Sequence, residues 1–300
     1  MEALEWAAQV ARVGGVVPAA VTIASLADFR AAGGRFPRDL RKHLDEILMS
    51  TDAEAGLDAL LACGALSALL PEVEAMVGFG DGEWRHKDVW KHTKQVVRQA
   101  VPRLEIRWAA LLHDIGKVKT RSISPDGEVH FFGHAEVGAR MFDKLNRRLP
   151  IFQSEVTLST EIRFLILHHL RASQYDVSWT DSAVRRFAKE MGPHLDSLLC
   201  LSRADITTKR PEKRKRGLRQ ISELADRVEK VLAADAVVPP LPTGIGDSIM
   251  TVFGIPPSRL IGEVKKRLEE QIDAGELASH QPIEFYVEHL RANAKRFGLA

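Results

Sequence analysis

The sequence predicts an all-α protein, built as a helical bundle with a smaller C-terminal helical segment. Three observations carry this. Apolar residues recur at the three- and four-residue spacing of a helix face. Few stretches show β-branched alternation, and Tyr occurs only twice in 300 residues. A hydrophobic content of 45% is enough to fill a sizeable core.

Residues 1–36, with "GGVVPAAVTIAS" and "AAGGRF" punctuated by Gly, Ala and Pro, read as an N-terminal arm of uncertain structure. A helix is expected at about 37–48. "STDAEAGLDALLACGAL" adds another, with Ser50 to Asp52 as cap, Glu54 in the first turn and Gly64 as the stop. Helix signals then recur at about 86–101, 104–115, 133–148, 157–170, 181–191, 193–208 and 211–234. "TRSISPDGEVHFFGH" interrupts them: Pro125, Asp126 and Gly127 have turn chemistry between two short extended segments, so a small hairpin or open loop is expected. The proline-rich "VVPPLPTGIG" separates a domain at 37–236 from a segment at 237–300, whose helices fall at about 246–253, 258–274 and 282–296.

The 42 Lys and Arg nearly balance the 40 Asp and Glu, so no global field recruits a polyanion, and any such site must be local. Cys63 and Cys200 sit in apolar surroundings, as reduced core cysteines do, and no disulfide framework is indicated. The N-terminal stretch lacks the charge pattern of a secretory signal, and no apolar run reaches the roughly 20 residues of a spanning helix. The expected location is cytoplasmic, with no membrane partner; oligomeric state is not legible.

Ionisable residues fall where the pattern predicts core. In "DVWKHTKQVVRQAV", His92 lies three residues after Val89 and four before Val96, on the apolar stripe, where a hydrogen-bonded core histidine is also a good reading. His113 and Asp114 follow the apolar run of "AALLHDIGK", and Asp205 lies on the face of Leu198 and Leu201. A buried unpaired carboxylate costs several kcal/mol or takes up a proton, so these need a cation. That cation could be a metal ion. It could equally be Arg203 or Arg185 for Asp205, and Lys117 for Asp114. His134 opens a helix and the doublet His168–His169 closes one, and the number of inward histidines favours metal. Mixed imidazole and carboxylate ligands suit Mn, Fe, Co, Ni or Zn.

His92, then His113 with Asp114, then Asp205 resembles the H...HD...D signature of the HD superfamily of metal-dependent phosphohydrolases. The resemblance implies an HD-domain helical bundle in which these four residues hold a divalent transition metal. It also implies a second ion at His134, His168 and His169, bridged by Asp114. "LLPEVEAMVGFG", "HKDVWKHT", "AALLHDIGKVKTRS", "GEVHFFGHAEVGARM", "LSRADITTKRPEK" and "GDSIMTVFGIPPSRLIGEVKKRLEEQIDAGEL" narrow it: from about 37 to 290 the chain resembles the C-terminal half of bacterial CCA-adding tRNA nucleotidyltransferases.

Residues 1–80 do not supply a strand, a glycine pair and D-x-D together, so CCA addition by this chain alone is not expected. The expected activity is hydrolysis of phosphate esters on RNA ends or nucleotides (2′,3′-cyclic phosphodiesterase, 2′-nucleotidase or phosphatase type), in RNA repair or tRNA processing. Asp114 and Lys117 are the catalytic candidates, and Lys117 and Arg121 the phosphate-binding ones, against a plain helix-end cation for each. The basic run "TTKRPEKRKRGLR" could guide a polyanion or be a solvated helix face. Trp84, Trp90 and Trp179 could stack bases or belong to the core. Two other functions fit: a small-nucleotide phosphatase or phosphodiesterase in signalling or pool control, and a noncatalytic tRNA- or RNA-binding module with a structural metal.

Overall fold

The computed structural model describes residues 2–16, 39–80, 88–236 and 239–299. It is all-α apart from one two-stranded hairpin and divides into two compact units, Met1–Val231 and Leu232–Ala300. The division falls inside a long helix, just ahead of the proline-rich run.

The first unit begins with α1 (Glu2–Val13), α2 (Leu40–Met49) and α3 (Ala53–Ala62), then short α4 (Ala65–Leu69) and α5 (Pro71–Glu74). The expected caps act here: the Asp52 side chain accepts from the Ala55 N–H at 3.0 Å, and Gly64, at φ +74°, ends the segment that α3 begins. The described part of the N-terminal arm is helical. Leu4, Ala7, Ala8 and Ala11 of α1 are buried, and a Cβ on Gly56 would come within 2.6 Å of Ala11 Cβ. Small residues therefore let α1 and α3 pack closely, whereas most of the Gly-, Ala- and Pro-punctuated stretch of the arm, 17–36, lies outside the described residues.

Next come α6 (Val89–Gln99), α7 (Leu104–Leu112) and α8 (Lys117–Thr120). The hairpin β1 (Ser122–Ile123) and β2 (Val129–His130) pairs Ser122 with His130 and Ile123 with Val129. Its turn is closed by the Gly127 N–H to the Ser124 carbonyl at 2.9 Å, with Gly127 at φ +84°. There follow α9 (His134–Arg148), α10 (Val156–His168), α11 (Asp181–Met191), α12 (Leu195–Ala204) and α13 (Pro211–Ala236). Trp108, Phe142, Phe152 and Phe187 are fully buried in this core; Trp108 meets Phe152 edge-on at 5.1 Å while its indole N–H donates to Asp45 at 2.7 Å.

The second unit packs α14 (Ile245–Phe253), α15 (Arg259–Asp273), α16 (Ile283–Ala292) and α17 (Ala294–Phe297). Its core gathers Ile249, Leu268, Tyr286, Leu290 and Phe297, and the Tyr286 hydroxyl donates to the Ala278 carbonyl at 2.9 Å. The last expected helix, 282–296, is broken at Asn293. No helix among the described residues is long and apolar enough to cross a membrane.

Candidate metal centre

Helix ends build the site. Every residue of α7 from Ile106 to Leu112 is buried, so His113 and Asp114, directly after it, are delivered into the core at 1% exposure each. The last carbonyls of a helix have no partner within it. His113 uses one, its Nδ1–H donating to the Ala110 carbonyl at 2.8 Å. His169, just past α10, does the same to the Ile166 carbonyl at 2.8 Å. His134 opens α9 after Gly133, at φ +70°, and donates Nδ1–H to the Phe131 carbonyl at 2.8 Å. His92 has its Nδ1 2.8 Å from Thr207 Oγ. A carbonyl can only accept, so His113, His134 and His169 each carry a proton on Nδ1, and in the neutral form, the one that binds metal, each presents a lone pair at Nε2.

Those Nε2 atoms converge in two groups that share Asp114. In the first, His92 and His113 Nε2 are 3.3 Å apart and lie 3.5 and 3.3 Å from Asp114 Oδ2. Asp205 Oδ1 joins them, 2.9 Å from His92 Nε2 and 3.6 Å from His113 Nε2. In the second, His134 and His169 Nε2 are 3.1 Å apart, with Asp114 Oδ1 3.6 Å from His134. Donor atoms bound to one transition ion at about 2.0–2.2 Å stand roughly 3–3.5 Å apart, so the spacing fits.

Two further observations bear on whether a cation suits these residues. Asp114 Oδ1 is buried without a hydrogen-bond partner, a condition costing about 1–3 kcal/mol. In the second pair, His134 and His169, the facing Nε2 lone pairs likewise lack a proton to share between them. Both groups, His92–His113–Asp114 and Asp114–His134–His169, could hold a metal ion.

The charges are strongly coupled. Burial alone would lower the His113 pKa, but Asp114 and Asp205 outweigh it and raise it to about 10. Burial likewise opposes ionisation of both carboxylates, yet His113 with Lys117 holds Asp114 well below the carboxylate range, and His113 with His92 does the same for Asp205. Burial lowers His134, and burial with His113 nearby lowers His169 to about 4. The second histidine pair is therefore neutral near pH 7, as ligands must be.

Of the expected ligands, the fold brings together His92, His113, Asp114, His134, His169 and Asp205. His168 lies outside both groups: its ring packs on Phe164 at 4.3 Å, one turn back along α10. Adjacent helical residues point about 100° apart, so only one member of the doublet can face the site. Lys117 Nζ is 2.6 Å from Asp114 Oδ2 and lies over the Phe131 ring at 5.7 Å. Arg121 is exposed at the start of the hairpin. Asp205 faces His92 and His113. Trp90 is buried in the core and Trp179 packs against Tyr175 and Phe187, while Trp84 lies outside the described residues.

Three positioning residues escaped the sequence. Thr207 orients His92, and Gln99 Nε2 donates to the carbonyls on either side of Asp205, Ala204 at 2.7 Å and Ile206 at 3.4 Å. Gly116 lets α9 approach: a Cβ there would lie 2.0 Å from the His134 carbonyl oxygen. Partners behind a ligating histidine typically contribute 10–100-fold in metal affinity. Thr207→Val is accordingly expected to weaken manganese binding by about 10-fold or more in calorimetric titration, leaving the thermal midpoint within a few degrees of wild type.

The HD domain family matches residues 89–210, the span from His92 to just past Asp205. Over 271 residues, 87% of this chain and 61% of the relative, the sequence is 31% identical to an A-adding tRNA nucleotidyltransferase of Deinococcus radiodurans. It is 29% identical over 249 residues, 81% of this chain and 54% of the relative, to a CC-adding tRNA nucleotidyltransferase of Thermus thermophilus. A multifunctional CCA protein of Ectopseudomonas mendocina is 34% identical over 152 residues, 49% of this chain and 36% of the relative. The chain thus spans between about half and three-fifths of the first two relatives. Residues 89–210, which carry the two histidine–carboxylate groups, match the HD domain family, in a chain similar over most of its length to bacterial tRNA nucleotidyltransferases.

Proposed function

We propose that this chain is a metal-dependent phosphohydrolase acting on phosphate esters at RNA ends or on nucleotides, in the cytoplasm. One observation carries the reading: a single buried carboxylate, Asp114, offers one oxygen to each of two histidine pairs. His92, His113, Asp114 and Asp205 would hold one divalent ion, and His134, His169 and Asp114 a second. Divalent ions in such a setting polarise phosphoryl oxygens and make water nucleophilic near neutral pH.

The chain's own groups complement that chemistry. The Asp205 side chain is 31% exposed, so the first group opens to solvent on its side, where an ester can enter. The Lys117 side chain, 22% exposed, can turn its ammonium from Asp114 to a phosphoryl oxygen in a partly dry setting. Arg121, exposed at the hairpin, would serve a longer substrate as a second cation. Two of the relatives are named tRNA nucleotidyltransferases, which supports an RNA-end ester and a tRNA partner.

The test is turnover of a panel: 2′,3′-cyclic nucleotides, 2′- and 3′-nucleotides, dNTPs and phosphate-terminated RNA, with manganese, nickel or cobalt supplied. Hydrolysis of at least one RNA-end or nucleotide ester is expected. Failure to hydrolyse any, or Asp114→Ala as active as wild type, removes the catalytic reading.

A further inference from the structure

The basic run left open by the sequence has a definite setting. From Gly217 onward α13 is anchored: a Cβ on Gly217 would lie 3.1 Å from Ile206, Gln220 donates to the carbonyls of Ser173 and Tyr175, and Arg227 pairs with Asp181 at 2.9 Å. Before Gly217 the anchoring stops. Residues 211–216 are all exposed, so the first turn and a half stands away from the core on every side. Lys213, Arg214, Lys215 and Arg216 occupy it in succession, preceded by exposed Lys209 and Arg210; Glu212 is the lone acid.

This placement is unfavourable in the free protein. Four adjacent cations repel one another, and they sit at the positive end of a 26-residue helix, where anionic side chains are the stabilising kind. None of the six takes part in an ion pair among the described residues. The run also begins two residues after Thr207, which holds His92, and the Gly217–Ile206 contact is one residue from Asp205. The cations therefore lie within about a helical turn of the chain segment that forms one wall of the metal centre.

We propose that this free end of α13 is a docking surface for the sugar–phosphate backbone of a single polynucleotide strand, whose terminal phosphate ester reaches the metal centre. The inference rests on the proposed function only for that last clause; the strand-binding surface stands on the charge and exposure of α13. A mononucleotide has no backbone to lay along it, so the surface selects RNA ends over free nucleotides.

The test compares the full-length wild type with a quadruple variant, Lys213→Gln, Arg214→Gln, Lys215→Gln and Arg216→Gln. Fluorescence anisotropy with a labelled, 3′-phosphorylated single-stranded RNA of about ten nucleotides reads the affinity. Each phosphate neutralised on a single strand contributes about −0.7 to the slope of log K against log salt, so the variant should lose about 3 from that slope and bind roughly 10²-fold or more weakly near 0.1 M salt. Its thermal midpoint without RNA should equal or exceed that of wild type, since it loses self-repelling charge. KM for phosphate-terminated RNA should rise while turnover of a mononucleotide ester stays within twofold.

A Kd within threefold of wild type overturns the proposal. A parallel fall in RNA and mononucleotide turnover also does so, as does tight binding to phosphatidylserine vesicles with none to RNA. A Lys213→Arg and Lys215→Arg variant should bind as wild type does; loss of binding there would equally contradict a charge-based surface. RNA binding as described with no ester hydrolysed would sink the phosphohydrolase reading and leave this surface in place.

Discussion

Asp114→Asn is expected to lower turnover of the best phosphate ester by about 10³-fold or more, and to release bound metal from both groups at once. A shared bridge explains the size: the amide keeps one carbonyl oxygen but puts an NH2, which cannot ligate, in place of the other and removes the negative charge that both histidine pairs share, and about 4 kcal/mol of lost transition-state stabilisation corresponds to 10³. Stability of the metal-free protein should fall too. Asp114 is 1% exposed and is the countercharge for both His113 and Lys117, and breaking a buried pair from one side costs about 3–5 kcal/mol. The sign with pH follows from His113, whose pKa is raised from 6.5 to about 10 in the folded state. That contribution is complete below pH 6.5 and is lost as the pH rises through about 10, so metal-free wild type should weaken across this window. In Asp114→Asn the decline should be much shallower. Thermal melts between pH 6 and 10 read this, and an unchanged slope would contradict the assigned countercharge.

Gly116→Ala should have the second largest effect, although it alters no ligand. The added methyl would lie 2.0 Å from the His134 carbonyl oxygen and 2.7 Å from the Gly138 amide nitrogen, both backbone atoms that cannot rotate away. The start of α9 must therefore back off, carrying His134 with it. Misplacing a catalytic group by about 1 Å can cost 10²-fold, and overpacking typically costs 1–3 kcal/mol. A fall in turnover of about 10²-fold, with the second ion lost first on dialysis, is the expected result. Gly262→Ala provides the contrast: it lies within α15 with open space around its Cβ, and should be neutral or stabilising by up to about 1 kcal/mol. Equal effects from the two substitutions would show that the contact beneath His134 is unimportant.

These two residues also show what a sequence can and cannot disclose. Asp114 was legible because a carboxylate in an otherwise apolar run is costly wherever the chain goes, and helical spacing put His92 and Asp205 on buried faces. Gly116 was legible only as a letter in a motif: its reason is a backbone eighteen residues away, on another helix. The doublet His168–His169 marks the same limit, since both fit the pattern while the rotation of α10 directs one to Asp114 and the other to Phe164. Thr207 carries no signal of its own at the head of the basic run, and only the return of the chain after α12 brings it to His92.

At the level of fold, helices with caps and an apolar stripe were readable in place, and so was the hairpin, through Pro125–Asp126–Gly127. The expected helix at 193–208 ends instead at Ala204, where Asp205 turns toward the two histidines and Gln99 takes up the flanking carbonyls. A tertiary contact thus overrides a continuing helical pattern. The described part of the N-terminal segment was opaque for a related reason: Ala11 of α1 has meaning only against Gly56, 45 residues on in the chain.

The central claim is that Asp114 joins two metal groups. Equilibrium dialysis of the purified chain against manganese, followed by elemental analysis, tests it directly when wild type is compared with His92→Ala, His134→Ala and Asp114→Asn. Two ions per chain in wild type, about one in each histidine variant and none held tightly in Asp114→Asn is the predicted result. No ion in wild type, or an Asp114→Asn protein that retains two, would contradict it.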